Sequence, residues 1–298
     1  MVTTNTRVKR PQAVVINGVD AGGLMAASIQ TGYDNILKSP FDGLAVPVRD
    51  KLTEFCRGSI VTQDFSEFYN LLIGTVGTYV FYERKSGIAE ATGWIKHTIT
   101  NPVIWQVNLS LNKDGYATVS FNFECKAADE TKGIADFWVP LDDQSAPSYI
   151  SADRGGHRVV TAVHGAANLY HITGFEFSLA GILTKESNDS DVGYSCVEID
   201  LPYDISGSIS FQDATIAAAK LKGQTLLTAA AAALVLTVKS SSGGANKTIT
   251  IANVDFDNLS DNSSPDSEFT GYQLSFGIAN DPDTPLTLAG DNKIIAIA

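Results

Sequence analysis

The sequence predicts a mainly β chain of the α+β type, made of two tandem copies of one domain with an amphipathic helix in each. Three observations predict it. The stretch Gly58-Ser59-Ile60-Val61-Thr62-Gln63-Asp64 comes back as Gly207-Ser208-Ile209-Ser210-Phe211-Gln212-Asp213, each time between an extended run and a helical pattern. Three further landmarks recur in the same order. They are Ile16-Asn17-Gly18-Val19 with Ile172-Thr173-Gly174-Phe175, then Thr98-Ile99-Thr100 with Thr248-Ile249-Thr250. The last is Gly115-Tyr116 leading to Ser120-Phe121, with Gly271-Tyr272 leading to Ser275-Phe276. Between the landmarks lie short runs rich in strand formers, bounded by turn residues. The shared order implies a repeat of about 130–150 residues, a normal domain size. The predicted domains are 1–150 and 151–298.

In the first copy, residues 1–12 read as a flexible arm. Val14–Val19 is a strand, and Ala21–Thr31 is a second one interrupted at Gly22-Gly23. Gly32–Asp50, with Pro40, Asp42-Gly43 and Pro47, reads as a long loop, a length that goes with function or mobility. Leu52–Thr62 resumes as a strand. Asp64 opens the best helical pattern: Asp64 and Glu67 have capping-box spacing, and Phe65, Phe68, Tyr69, Leu72 and Ile73 form one apolar stripe. Gly74 and Gly77 close it. The stripe reads as a helix packed on a sheet. Tyr79–Arg84, Trp94–Thr100, Val103–Leu111 and Tyr116–Lys126 are strands, with Asn112–Gly115 a hairpin turn. Pro140–Gly156 is the linker.

In the second copy, Arg158–Val163 and Leu169–Leu183 are strands and Glu186–Asp191 is a polar loop. Ser195–Leu201 and Gly207–Phe211 are strands. A helix runs from Asp213 to Lys222 and stops at Gly223. Thr225–Ala233 is ambiguous, since five consecutive alanines favour helix while the repeat favours a lead into the strand Leu234–Lys239. Thr248–Val254 is a strand, Asp255–Glu268 a long acidic loop and Gly271–Ala279 the last strong strand. Asn280–Ala298 is a C-terminal arm ending in a short apolar run.

The chain has 298 residues, 44% apolar and 18% charged, with 33 acidic against 21 basic residues and a net charge of −12. An acidic chain is a poor candidate for gripping nucleic acid, which needs Lys and Arg to displace counterions. It can line a path along which DNA slides without sticking. Cys56, Cys125 and Cys196 are odd in number and widely spaced, so they read as buried reduced thiols. The polar N-terminus carries no signal-peptide pattern, and no apolar run is long enough to span a membrane.

His157, His164 and His171 are spaced by seven, but in a β context odd spacing puts neighbours on opposite faces, so metal binding is the lesser reading. Gly243–Thr248 lacks the Gly before Lys and the following helix of a phosphate loop. Asp255, Asp257, Asp261 and Asp266 lack the turn Gly of a calcium loop, and Leu259 sits where an oxygen ligand belongs. There is no nucleophile elbow. No catalytic set, cofactor site or metal site is expected, and the chain is not expected to be an enzyme. A hydrolase with a carboxylate pair is the enzyme reading weighed against this, and it needs a deep pocket of perturbed acids.

A β-rich domain with one amphipathic helix after a Gly-Ser-Ile strand, a long early loop and a polar arm at each end resembles the tail tube protein of long-tailed bacteriophages. The resemblance covers most of the chain and rests on architecture. It implies tube-like β-sandwich or barrel domains whose inner strands join into one continuous barrel around a DNA channel. The usual member has one domain and forms hexameric rings. This chain departs by having two, which implies three chains per ring, with rings stacked into a tube. The implied partners are further copies of the chain, the tape measure, terminator and distal tail proteins, and viral DNA passing the lumen without specific binding. The implied location is the virion tail, assembled in the host bacterial cytoplasm, with no membrane partner. Ile36, Leu37, Phe41, Leu44 and Val46 are the expected contacts to the next ring. A baseplate hub or distal tail protein present as a single ring is the nearest rival. A two-domain β-sandwich that binds host glycans is another; Trp94, Trp105 and Trp138 in or beside strand patterns favour core packing over it.

Overall fold

The computed structural model describes residues 8–16, 19–20, 24–38, 48–63, 78–85, 93–113, 115, 117–145, 147, 157–188, 191–212, 216–240, 245–261, 271–279 and 293–298. It is a mainly β, antiparallel structure. The first half supplies β1 (Val8–Ile16), β2 (Val19–Asp20), β3 (Leu24–Lys38), β4 (Val48–Thr62), β5 (Tyr79–Lys85), β6 (Trp94–Ile99), β7 (Pro102–Asn112), β8 (Thr118–Cys125), the one-turn helix α1 (Ile134–Phe137) and β9 (Trp138–Gln144). The second half supplies β10 (His157–His164), β11 (Ala167–Leu169), β12 (Ile172–Glu186), β13 (Cys196–Phe211), α2 (Ile216–Leu227), β14 (Ala232–Ser240), β15 (Lys247–Asp261), β16 (Tyr272–Ile278) and β17 (Ile295–Ile297).

Five strands form a small sheet in the order β2-β1-β5-β6-β9. The others form one large sheet, β11-β10-β14-β15-β16-β13-β12-β7-β8-β4-β3, with β17 paired to β15. The small sheet packs on the large one through rings: Tyr79 on β5 lies 5.3 Å from Phe121 and 5.5 Å from Phe123 on β8. This face-to-face burial of alternate side chains is β-sandwich packing.

Ladder by ladder, the pairings of the first half recur in the second. In β3–β4, Ile29 faces Gly58; in β12–β13, Phe177 faces Gly207. In β4–β8, Gly58 faces Phe123; in β13–β16, Gly207 faces Phe276. In β7–β8, Ile104 faces Phe123 before a register shift; in β15–β16, Phe256 faces Phe276 before a shift at the matching place. The β1–β5 and β10–β14 ladders correspond, with shifts after Pro11 and Val159. The β6–β9 and β15–β17 ladders also correspond, Ile99 facing Trp138 and Ile251 facing Ile295.

The recurring Gly-Ser-Ile has a packing cause. A Cβ on Gly58 would sit 2.2 Å from the Ser28 carbonyl and 3.0 Å from Phe123 Cζ. On Gly207 it would sit 2.1 Å from Phe276 Cζ. Glycine leaves the slot that the aromatic ring of the next strand fills. The following Ser points to the opposite face, and Ile60 and Ile209 return to the core fully buried.

The structure corrects several expectations. Only the Gly-Ser-Ile landmark aligns in register. Ile16 matches His164, while Ile172 matches Leu24. Thr98 matches Thr250, and Phe123 matches Phe276, so those two landmarks were two residues out. A slip of two keeps every residue on its face, so the pattern survives the error. Residues 8–12, read as an arm, belong to β1, where Pro11 sits at a register shift that tolerates its missing N–H. The loop expected at 32–50 is largely hairpin, since β3 runs to Lys38 and β4 starts at Val48. Residues 140–144, read as linker, pair with β6. Asp255–Asp261, read as an acidic loop, is strand: the register shift past Phe256 interrupts the alternation and hides it in the sequence. The two strands expected over 195–211 are the single β13.

α2 passes through Gly223, where it was expected to stop, and ends at Leu227. A Cβ on Gly223 would meet Leu259 Cδ1 at 2.6 Å, so this glycine serves close packing of α2 on β15. Ala232 and Ala233 lie in β14 despite their helix propensity. The helix expected over 64–73 lies outside the described residues.

Candidate functional site

Directly opposed residues in adjacent strands share a face. Following the ladders across the eight strands β3, β4, β8, β7, β12, β13, β16 and the second half of β15 therefore sorts the described side chains by face. One face carries Ile60, Phe121, Phe123, Val107, Leu109, Phe175, Phe177, Ile209, Leu274 and Phe276, all buried. The other face carries Ser and amide residues almost throughout. They are Ser28 and Gln30 on β3, Ser59 on β4, and Ser120 and Asn122 on β8. β7 adds Gln106, Asn108 and Ser110, and β12 adds Ser178. β13 adds Ser206, Ser208 and Ser210, β16 adds Gln273 and Ser275, and β15 adds Asn258 and Ser260.

These groups bond to one another across the strands. The Ser178 hydroxyl donates to Asn108 Oδ1 at 2.7 Å, and Asn108 Nδ2 donates to Ser120 Oγ at 3.3 Å. Asn122 Nδ2 donates to Gln106 Oε1 at 2.7 Å, and Gln273 Nε2 donates to Ser208 Oγ at 2.9 Å. A groove of about 510 Å³ on this face runs along β7, β12, β13 and β16. The network fixes short side chains in place and leaves a hydrated surface of hydroxyls and amides.

Charges on or bordering this face are sparse. Among the described residues the acidic ones are Glu124, Glu176, Asp204, Asp255 and Asp257, and the basic ones are Arg57 and Lys185. Glu124 is 2% exposed, and Lys185 Nζ lies 3.5 Å from its Oε1. Burial pushes the Glu124 carboxyl above the usual range, and Lys185 and Arg57 pull it part of the way back. Chemically the face offers hydrogen bonds that any hydrated polymer could exchange with water, and few cations to hold a phosphate.

The face is continuous across the two halves because β7 and β12 pair from Gln106↔Ala180 to Asn112↔Gly174. The end of the β12–β13 hairpin reinforces this seam. Glu54 N donates to Val192 O at 2.8 Å, Val192 N to Glu130 O at 2.9 Å and Ala127 N to Tyr194 O at 2.8 Å. Lys185 bridges Glu124 and Asp34, and its ammonium lies 4.6 Å from the Tyr194 ring centre. The Tyr194 hydroxyl donates to Asp34, and burial followed by that carboxylate raises its pKa far above the tyrosine range. Gly193 is required here, since a Cβ would meet Phe137 Cζ at 2.7 Å and the Lys132 carbonyl at 2.8 Å.

Of the contact residues expected from sequence, Ile36 and Leu37 lie on β3, opposite Asp50 and Arg49. Phe41, Leu44 and Val46 lie outside the described residues. His157 and His164 were expected on opposite faces, yet both point inward, because the register shift between Val159 and Thr161 flips the parity. His164 Nε2 lies 2.8 Å from the Val254 carbonyl, and His171 occupies a turn with φ of 52°. No cluster of three metal-ligating side chains occurs among the described residues. Trp94 is buried, whereas Trp105 and Trp138 are half-buried. Among the described residues no helix is long and apolar enough to cross a membrane.

Sequence reasoning did not single out the Ser and amide face. Its signal was present as alternation, Gln106-x-Asn108-x-Ser110-x-Asn112 and Ser206-x-Ser208-x-Ser210. Each strand alone reads as an ordinary solvated edge; only the ladders bring the eight together. No protein-family model matches the sequence, and no curated protein matches it.

Proposed function

We propose that this chain is a tube-forming structural protein of a long bacteriophage tail, in which two copies of one domain per chain build stacked rings around a channel for the genome. The observation that carries this reading is the eight-strand Ser and amide face, predominantly polar and backed by a continuous apolar core. A sheet with one dry face and one wet face of sparse charge suits the wall of a water-filled conduit. The excess of acidic over basic groups bordering it repels phosphates within a Debye length of about 8 Å and so opposes sticking.

The recurrence of the ladders supports reading the chain as a tandem duplication. Two domains per chain and a sixfold wall give three chains per ring, with true threefold symmetry. The β12–β13 hairpin reaches over the adjoining half. Its counterpart, the β3–β4 hairpin with Ile36 and Leu37 on β3, then makes the corresponding contact with another chain, joined by Phe41, Leu44 and Val46 of the segment 39–47 outside the described residues.

Negative-stain imaging of the purified protein tests the reading. Hollow tubes or stacks with a threefold repeat are the expected result. Isolated rings point instead to a hub or distal tail role. Compact monomers at every concentration overturn the proposal.

A further inference from the structure

The chain contains one example of how its halves join, and that example specifies how two chains would join. Inside the chain, β7 pairs antiparallel with β12 over Gln106↔Ala180, Val107↔Leu179, Asn108↔Ser178 and Leu109↔Phe177. By ladder register the counterpart of β12 is β3: Leu24 matches Ile172 and Ile29 matches Phe177, both 148 residues apart. The counterpart of β7 is the second half of β15: Ile104 matches Phe256 and Asn108 matches Ser260, both 152 residues apart. In β7 and β12 these edges are occupied by each other. In β3 and β15 they are open among the described strands. β3 ends the large sheet with β4 as its neighbour, and residues 255–261 of β15 pair with β16 alone.

We infer that the β3 edge of one chain pairs antiparallel with residues 258–261 of β15 of a second copy of this chain. The register carried over from the seam is Gly32↔Asn258, Thr31↔Leu259, Gln30↔Ser260 and Ile29↔Asp261. The occupant follows from the seam. The two open edges are the repeat counterparts of two edges that already bind each other, so the surface each lacks is the one the other half of the same chain offers. An edge with no neighbour among the described strands is a template for strand addition. The join is head to tail, so it propagates until a ring closes or a filament forms. Side-chain chemistry fits the register at its centre. Gln30 and Ser260 replace the hydrogen-bonded pair Ser178 and Asn108 on the wet face, and Thr31 and Leu259 replace Leu179 and Val107. At the end of the register Asp261 replaces Leu109, so the pairing is weaker there than at Gln30.

This inference deepens the self-association in the proposed function and rests on the repeat, not on the channel. Its test is oxidative cross-linking of the full chain carrying Gln30→Cys and Ser260→Cys, with the half-exposed Cys196 changed to Ser. The expected result is a reducible ladder of covalent multimers that neither single cysteine variant gives. Asn108→Cys with Ser178→Cys is the in-chain control and is expected to cross-link without forming multimers. Hydrogen exchange on the unmodified protein covers the case in which the variant does not fold. Amides in 26–32 and 255–261 are expected to exchange about 10-fold or more slowly in the assembly than in diluted monomer. No multimers alongside a working control, or unchanged exchange at both edges, overturns the register. Cross-linked assemblies with no lumen leave the edge pairing standing and remove the tube. Hollow tubes without the cross-link do the reverse.

Discussion

Asn101 and Asn253 occupy the same hinge in the two halves. Each has φ of 48°. The Asn101 carbonyl accepts a hydrogen bond from Lys126 N at 2.9 Å, and the Asn253 carbonyl accepts one from Ala279 N at 2.9 Å. Asn101 stands where the chain leaves the small sheet for the large one, between β6 and β7, and Asn253 stands where β15 passes from pairing with β14 to pairing with β16. Asparagine tolerates the left-handed region better than other non-glycine residues, because its short side chain can bond locally.

The hinge gives the first prediction. Asn101→Ala and Asn253→Ala are each expected to cost about 1–2 kcal/mol in urea unfolding. Asn→Gly at either site is expected to be near neutral, since glycine adopts positive φ without strain. Alanine variants as stable as the parent at both sites would remove the argument.

Gly58 and Gly207 give the second. Gly58→Ala and Gly207→Ala are each expected to destabilise by about 1–3 kcal/mol through overpacking. The closest atom at Gly207 is the end of the Phe276 ring, whereas at Gly58 it is the Ser28 carbonyl. Phe276→Leu is therefore expected to recover part of the loss at Gly207, while Phe123→Leu recovers little at Gly58. Equal recovery at both would contradict this difference in packing.

A third concerns pH. Burial holds the Glu124 carboxyl above its ordinary value, so the folded chain binds that proton more tightly than the unfolded chain. The resulting stability is fully present below the ordinary Glu pKa and is lost as pH rises through the folded value. Glu124→Gln is expected to flatten this slope and to match or exceed the parent's stability at pH 7. Urea midpoints at pH 4 and pH 7 measure it. A variant weaker than the parent at pH 7 and equal at pH 4 would mean that the Lys185 ion pair outweighs burial.

The fourth tests the wet face. The parent assembly is expected not to retain DNA on a filter at moderate salt. Ser59→Arg with Ser208→Arg keeps the fold, since both sites face outward from the core. It is expected to retain DNA with an affinity that falls with salt, by a slope of about −0.9 in log–log terms per phosphate contact. Retention by the parent equal to the variant's would sink the idea of a non-stick wall.

Last, replacing 39–47 by a two-residue Asn-Gly turn is expected to leave β3 and β4 paired and the chain folded. Assembly, followed by light scattering, is expected to be lost or shortened. Tubes of normal length from this variant would release Phe41, Leu44 and Val46 from any contact role.

The sequence by itself determined the mainly β class and the recurring Gly-Ser-Ile, whose two copies take matching places in their ladders. Gly-Ser-Ile is legible because three unlike demands fall on consecutive residues: a slot under a ring, a wet hydroxyl and a buried aliphatic. Tertiary structure decided the rest of the alignment. Strand patterns have period two, so the Thr-Ile-Thr and Ser-Phe matches could slip by two residues without any residue changing face. It also decided where alternation breaks, because the bulges near Asp257 and Val160 flip parity and made a strand read as an acidic loop and two inward histidines read as opposed. The Ser and amide face lay beyond the sequence for a related reason. Ser178, Asn108, Ser120 and Gln273 come from four strands, and only the cross-strand hydrogen bonds that set the ladders bring them onto one surface.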